Sequence, residues 1–163
     1  MNVKEIVAAI KAEKPEITSV YFVGCGASQS DLYPGKYFLE ANARKLRTSL
    51  HTANEFVYST PAAVGPDSIV ITCSLSGGTP ETVEATKKAM SLGAEVIAVT
   101  IDENSALAKA AKYQIIHGFY KDYAVDGDWG KGTTNAINRW RKANGWSATG
   151  TIGTKALKKL LSY

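Results

Sequence analysis

The chain has 163 residues, of which 45% are hydrophobic and 21% charged, a globular balance that argues against wholesale disorder. No apolar run approaches the roughly 18 residues a membrane-spanning helix needs, and the opening Met1-Asn2-Val3-Lys4-Glu5-Ile6 lacks the apolar core of a secretion signal. Two cysteines, Cys25 and Cys73, are too few for a disulfide framework or a four-cysteine zinc site, so a reduced, cytoplasmic setting without metal or organic cofactor is expected.

Charge is unevenly distributed. Residues 1–118 hold 11 Lys/Arg against 12 Asp/Glu, whereas residues 119–163 hold 8 Lys/Arg against 3 Asp, a net of +5. All three tryptophans (Trp129, Trp140, Trp146) lie in the second stretch, and all five prolines in the first. Two modules are the simpler explanation, 1–118 and 119–163. The second is short enough for its own core to be marginal.

In chain order, Val3, Ile6, Val7 and Ile10 recur at helical spacing over residues 3–14, and Pro15 stops the pattern. Val20-Tyr21-Phe22-Val23 reads as a buried strand running into Gly24-Cys25-Gly26. A helix is predicted over 31–46, with Asp31 near its start and Pro34 in its first turn. A weaker extended segment begins at Leu50. Residues 68–73 (SIVITC) form a second strong strand, followed by a helix over 80–92 opened by Pro80 and Glu81 and closed by Gly93. Residues 95–100 (EVIAVT) form a third strong strand. Residues 105–112 then read as a helix with Ser105 as a cap, and Tyr113-Gln114-Ile115-Ile116 as extended. Near-continuous apolar strands alternating with helices imply an α/β fold, a mostly parallel sheet covered on both faces. Ligands of such sheets bind at the carboxyl ends of the strands.

Those ends carry the chemistry. Gly24-Cys25-Gly26-Ala27-Ser28-Gln29-Ser30 follows the first strand, and Ser74-Leu75-Ser76-Gly77-Gly78-Thr79-Pro80-Glu81 follows the second. Glycines let backbone N–H groups approach a ligand, hydroxyls add donors, and each following helix directs its positive end at the same place. This combination suits a phosphate monoester. Neither stretch is a dinucleotide fingerprint or a P-loop: Gln29 stands where the third glycine would be, and no Gly-Lys-Ser/Thr follows.

The segments YFVGCGASQSDLYPGKYFLE, SIVITCSLSGGTPETVEATKKA and GAEVIAVTIDENSALAKAAKYQI resemble the sugar isomerase (SIS) domain family over residues 15–117. The similarity is strongest to fructosamine or fructoselysine phosphate deglycases. The resemblance implies a three-layer sandwich around a five-stranded, flavodoxin-like parallel sheet, and homo-oligomerisation. It also implies phosphosugar binding, with Ser74, Ser76 and Thr79 as phosphate contacts, Gly77 and Gly78 as loop backbone, and Ser28 as a further contact. Leu75 stands where related glucosamine synthases often carry Gln. Double-domain relatives have a second such domain, which supplies much of their acid–base machinery; none is recognised in these residues, so binding with little activity is the expectation.

Isomerisation, or breakdown of a fructosamine phosphate, needs a base near the carbon acid and an acid near an oxygen. Glu55 and His51, in HTANEF, are the candidates, set against plain surface or packing roles. Glu81 is a possible support at a helix start. His117, Cys25 and Cys73 read as structural.

In the tail, Asp126-Gly127-Asp128-Trp129-Gly130 reads as a loop, followed by a helix capped by Thr133 or Thr134 with Ala136, Ile137 and Trp140 on its apolar face. Asn144-Gly145 ends that helix, and Lys155 to Leu161 forms a shorter one. Gly127/Gly150, Trp129/Ile152 and Gly130/Gly153 are matched pairs of a half-repeat. The whole, 120–163, resembles a truncated peptidoglycan-binding domain, a small helical C-terminal module. Its first helix would have to come from residues 105–117, which the sheet also claims. A helix ending in a strand there favours the complete sheet, and one unbroken helix over 107–119 favours the complete wall module. Three functions stand: a phosphosugar isomerase or deglycase fragment, a noncatalytic cell-wall-binding protein acting through 120–163, and a phosphosugar sensor. The basic tail attracts polyanions, but no nucleic-acid motif is visible.

Overall fold

The computed structural model describes residues 2–14, 16–116 and 131–160. The chain divides into two compact units, Met1–His117 and Gly118–Tyr163.

In the first unit, five parallel strands run in the order β2-β1-β3-β4-β5: β1 Ser19–Gly24, β2 Arg47–Thr52, β3 Ser68–Cys73, β4 Glu95–Thr100 and β5 Tyr113–Ile116. This is the flavodoxin-like order. Helices α1 Val3–Glu13 and α2 Ala27–Asn42 cover one face. Ile6 and Ile10 of α1 pack on Ile97 and Tyr113, and Leu32 of α2 packs on Val20 and Phe22. Helices α3 Ala53–Tyr58, α4 Pro80–Ser91 and α5 Ala106–Ala110 cover the other. There Phe56, Val57, Ala85 and Ala89 close over Tyr21, Val23, Val70 and Val96. The predicted three-layer α/β sandwich is the observed one.

Most strands match their sequence signal, because β1, β3 and β4 are apolar runs buried between helix layers. Differences arise where local cues compete. Helix α2 begins at Ala27, not Asp31, so Pro34 lies inside it instead of in its first turn. The helix is set off by Gly26, whose φ of 56° breaks the chain direction right after β1. Strand β2 starts at Arg47, ahead of Leu50; as a half-exposed edge strand it carries little apolar signal. The six-residue α3 was not foreseen. It is opened by Thr52, whose Oγ1 accepts from the Glu55 N–H at 3.2 Å.

Residues 105–116 form a short helix and then a strand. Ser105 caps α5 by accepting from the Ala108 N–H at 3.2 Å, and β5 pairs with β4 from Ile97↔Tyr113 to Thr100↔Ile116. The sheet therefore keeps its fifth strand, and the unbroken helix does not form. At the amino end of the sheet, buried Glu95 meets Lys14 at 3.9 Å and Lys112 at 3.2 Å. Glu13 also pairs with Lys112. The Glu13 carboxylate, with Glu95 adding to it, raises the Lys112 ammonium pKa above its ordinary value against the opposing effect of desolvation. This cluster ties α1 to β4 and to the start of β5, at the end of the sheet away from the glycine loops.

In the second unit, α6 spans Lys131–Ala143 and α7 spans Thr154–Leu160. Ala136, Ile137 and Trp140 are buried, as their spacing predicted. Helix α6 is already under way at Lys131, so Thr133 and Thr134 lie within it and neither caps its start. The turn ending α6 has Gly145 at φ 72°. His117, the Asp126–Gly130 loop with Trp129, and Leu161 lie outside the described residues. Among the described residues no helix is long and apolar enough to cross a membrane.

Candidate functional site

The strand order reverses direction between β1 and β3, so the helices that follow these neighbours lie on opposite faces of the sheet, the position at which such sheets hold their ligands. Gly24 lies opposite Cys73 in the β1–β3 register. The two sequence-predicted loops therefore start side by side.

The loop after β3 is tightly organised. Ser74 Oγ and Thr79 Oγ1 are 2.8 Å apart, and the Gly77 N–H donates to both the Ser74 hydroxyl (3.2 Å) and its carbonyl (3.0 Å). Ser76 Oγ accepts from the Gly78 N–H at 3.2 Å. Ser74 is buried, whereas Ser76 and Gly78 are exposed. Thr79 occupies the cap position of α4, yet its hydroxyl turns to Ser74 and no side chain caps the helix. The first turn of α4 thus keeps its positive end open to a ligand.

Gly77 can be nothing larger. Its φ is 65°, and a Cβ there would lie 2.2 Å from Ser105 Oγ and 2.7 Å from Thr100 Oγ1. The backbone is pinned at the same place: Leu107 N–H donates to Gly77 O at 2.9 Å, and Thr100 Oγ1 to Leu75 O at 3.1 Å. Thr100 and Ser105 thus pack against the loop at Gly77. Sequence reading placed Thr100 at a strand end and Ser105 at a cap, but their approach to Gly77 is a tertiary fact.

The loop after β1 closes just as sharply. A Cβ on Gly24 would sit 3.0 Å from Gln29 N and 3.2 Å from Cys73 O, so α2 starts hard against the end of β3. Ser28 stands in the first turn of α2. Burial pushes the Cys73 thiol above its ordinary pKa, with the Ser28 hydroxyl working against the shift and Asp31 adding to it. Burial thus favours the neutral thiol of Cys73 over its thiolate. From this same loop, Cys25 Sγ accepts from Thr82 Oγ1, in the first turn of α4, at 3.9 Å. Cys25 is thus joined to the helix after Thr79. Neither loop contains Lys or Arg.

His51 and Glu55 stand one strand away. His51 pairs with Val23 and Thr52 with Gly24 in the β1–β2 register. His51 Nδ1 lies 3.4 Å from Glu55 Oε1, though without hydrogen-bond alignment. Its Nε2 meets Ser49 Oγ at 2.9 Å, and its ring packs on Tyr21 and Phe56, each at 6.1 Å between centroids. Glu55 is largely exposed on α3. A half-buried imidazole beside an exposed carboxylate can hold and pass a proton. Glu81 is half-buried in the first turn of α4.

Residues 16–118 match the family model "SIS domain", and residues 108–160 match "Putative peptidoglycan binding domain". The two matches overlap over 108–118, where the structure forms the end of α5 and β5. Fructosamine deglycase FrlB of Bacillus subtilis is 43% identical over 97 residues, 60% of this chain and 30% of that protein. Glutamine–fructose-6-phosphate aminotransferase (isomerizing) of Clostridium acetobutylicum is 35% identical over 105 residues, 64% of this chain and 17% of that one. A crystal structure titled "putative phosphosugar isomerase", from Salmonella typhimurium LT2, superposes with a TM-score of 0.70 at 36% identity, covering 78% of this chain and 38% of that one. The chain thus spans less than a third of each of these two curated relatives. With a matching model over well more than half its length and the expected sheet order, the chain belongs to the SIS domain family, and its C-terminal segment matches a peptidoglycan-binding-like domain.

Proposed function

We propose that residues 1–118 bind a phosphorylated sugar, with the phosphate held by Ser74, Ser76 and Thr79, the Gly77 and Gly78 backbone, and Ser28. One observation carries this reading: two glycine-and-hydroxyl turns meet at the switch point of the sheet, and the Thr79 hydroxyl is diverted so that α4 opens uncapped. Anion binding here rests on N–H groups, hydroxyls and helix dipoles, because the loops contribute no cation. The relatives' names carry fructose 6-phosphate and fructosamine, and a phosphorylated fructosamine would present the same anion to the loop. Within the same reading, His51 and Glu55 form the proton-transfer pair for isomerisation or for breakdown of a fructosamine phosphate, and Glu81 supports the helix start.

Calorimetric titration tests it. Fructose 6-phosphate binds the wild type, fructose does not, and Ser76→Ala weakens binding about tenfold, the worth of one hydrogen bond to a charged group. Absence of binding by the wild type removes the reading. A turnover assay on fructosamine phosphate, repeated with His51→Gln and Glu55→Gln, then separates an enzyme from a sensor.

A second reading concerns residues 119–163, and the family match over 108–160 favours it. In this reading the second unit attaches the protein to peptidoglycan. Retention of the full chain on purified sacculi tests it.

A further inference from the structure

Residues 119–163 contain eight Lys and Arg against three Asp. Several of these cations gather around one aromatic ring. The Arg141 guanidinium carbon lies 5.7 Å from the centre of the Trp146 indole, Lys155 Nζ 5.7 Å and Lys159 Nζ 5.6 Å.

The ring itself is held firmly. The Gly145 turn brings the chain back so that the Trp146 N–H donates to Arg141 O at 2.9 Å, and Trp140 meets the indole edge-to-face at 5.6 Å. Arg141 is oriented by donating from Nε to Ser147 O at 2.6 Å. Beside the indole lies an open concavity of about 380 Å³, lined by Arg141, Gly145, Trp146, Ser147, Lys155 and other residues of the second unit. It therefore combines an apolar wall, a fixed guanidinium and an exposed ammonium. A small apolar side chain next to a carboxylate fits this lining better than a neutral sugar does.

We propose that the concavity formed by Trp146, Arg141 and Lys155 binds the free carboxylates of peptidoglycan stem peptides. The proposal rests on the wall-binding reading of the second unit and supplies the chemical group recognised. It is independent of the phosphosugar reading, which concerns the other unit.

The test uses the full chain and sacculi stripped of their phosphate-bearing polymers, before and after carbodiimide amidation of the remaining carboxylates. Lys155→Glu and Lys155→Arg are compared with wild type, since Lys155 is exposed and its replacement leaves the buried face of α6 intact. The expected result is retention on stripped sacculi, about tenfold weaker retention after amidation or with Lys155→Glu, and near wild-type retention with Lys155→Arg. Equal retention on native and amidated sacculi overturns the carboxylate assignment while leaving wall binding in place. Retention only on unstripped sacculi, or equal affinity for double-stranded DNA, overturns it in favour of phosphate polymers. No retention on any sacculus overturns both the assignment and the wall-binding reading.

Discussion

The two proposed sites would meet an anion by opposite means. The loops after β1 and β3 contain no Lys or Arg, and their donors are hydroxyls and backbone N–H groups fixed by Gly77, Thr100 and Ser105. Residues 119–163 carry eight Lys and Arg against three Asp, with three of the cations around Trp146. Fixed neutral donors act at hydrogen-bond range and reward one geometry. A cluster of charges acts over a Debye length, tolerates varied geometry and is weakened by salt. The first arrangement suits a small, defined ligand and the second an extended, repetitive one.

The largest expected effect comes from removing the fixed geometry. Gly77→Val places a side chain where even a Cβ meets Ser105 and Thr100, and it forces a β-branched residue into a left-handed backbone. A loss of about 3 kcal/mol or more in urea unfolding, with no measurable fructose 6-phosphate binding, is expected. Unchanged binding would break the contrast at its rigid end.

Next in size is the response to salt. Between about 50 and 500 mM sodium chloride, sacculus retention should fall at least tenfold, while the affinity for fructose 6-phosphate changes about threefold or less. Parallel declines would mean that both units work through long-range charge.

Serine substitutions sharpen the comparison within the loop. Ser74 is buried and holds both Thr79 and the Gly77 N–H, so Ser74→Ala should lower stability by about 1–2 kcal/mol as well as affinity. Ser76 is exposed, so Ser76→Ala should lower affinity alone. Thermal unfolding of the two variants beside their titrations separates these outcomes.

The smallest effect is a pH dependence. Burial raises the Cys73 pKa, so the folded state holds that proton more tightly than the unfolded chain does. Its contribution is present below the ordinary thiol value and is lost as pH rises through and above it. Alkylation followed by mass spectrometry should show Cys73 reacting more slowly than an unstructured thiol at pH 8, with unfolding made easier at alkaline pH. Rapid labelling at neutral pH would contradict a thiol kept neutral by burial.

Much of the sheet was legible because buried parallel strands leave continuous apolar runs, as Val20–Val23, Ile69–Cys73 and Val96–Val99 do. Edge strand β2 was only half legible, since Arg47, Ser49 and Thr52 face solvent at least in part. Helix α3 is six residues long and is held by burial of Phe56 and Val57 more than by any local pattern. The start of α2 was misplaced because Pro34 looks like a first-turn residue, whereas the positive φ of Gly26 sets the true beginning. The candidate phosphate loop could be read directly, because its chemistry resides in consecutive residues. Its supports could not, because Thr100 and Ser105 reach Gly77 only through the folding of β4 and α5.

Amide chemical shifts followed by NMR during titration with fructose 6-phosphate, with fructose as the control, test the central assignment most directly. The account predicts that the sugar phosphate moves the Ser76, Gly77, Gly78 and Thr79 amides together with that of Ser28, that fructose moves none of them, and that the Trp146 indole stays unmoved by either. Shifts centred on Trp146 with the Gly77 and Gly78 amides unchanged would contradict it.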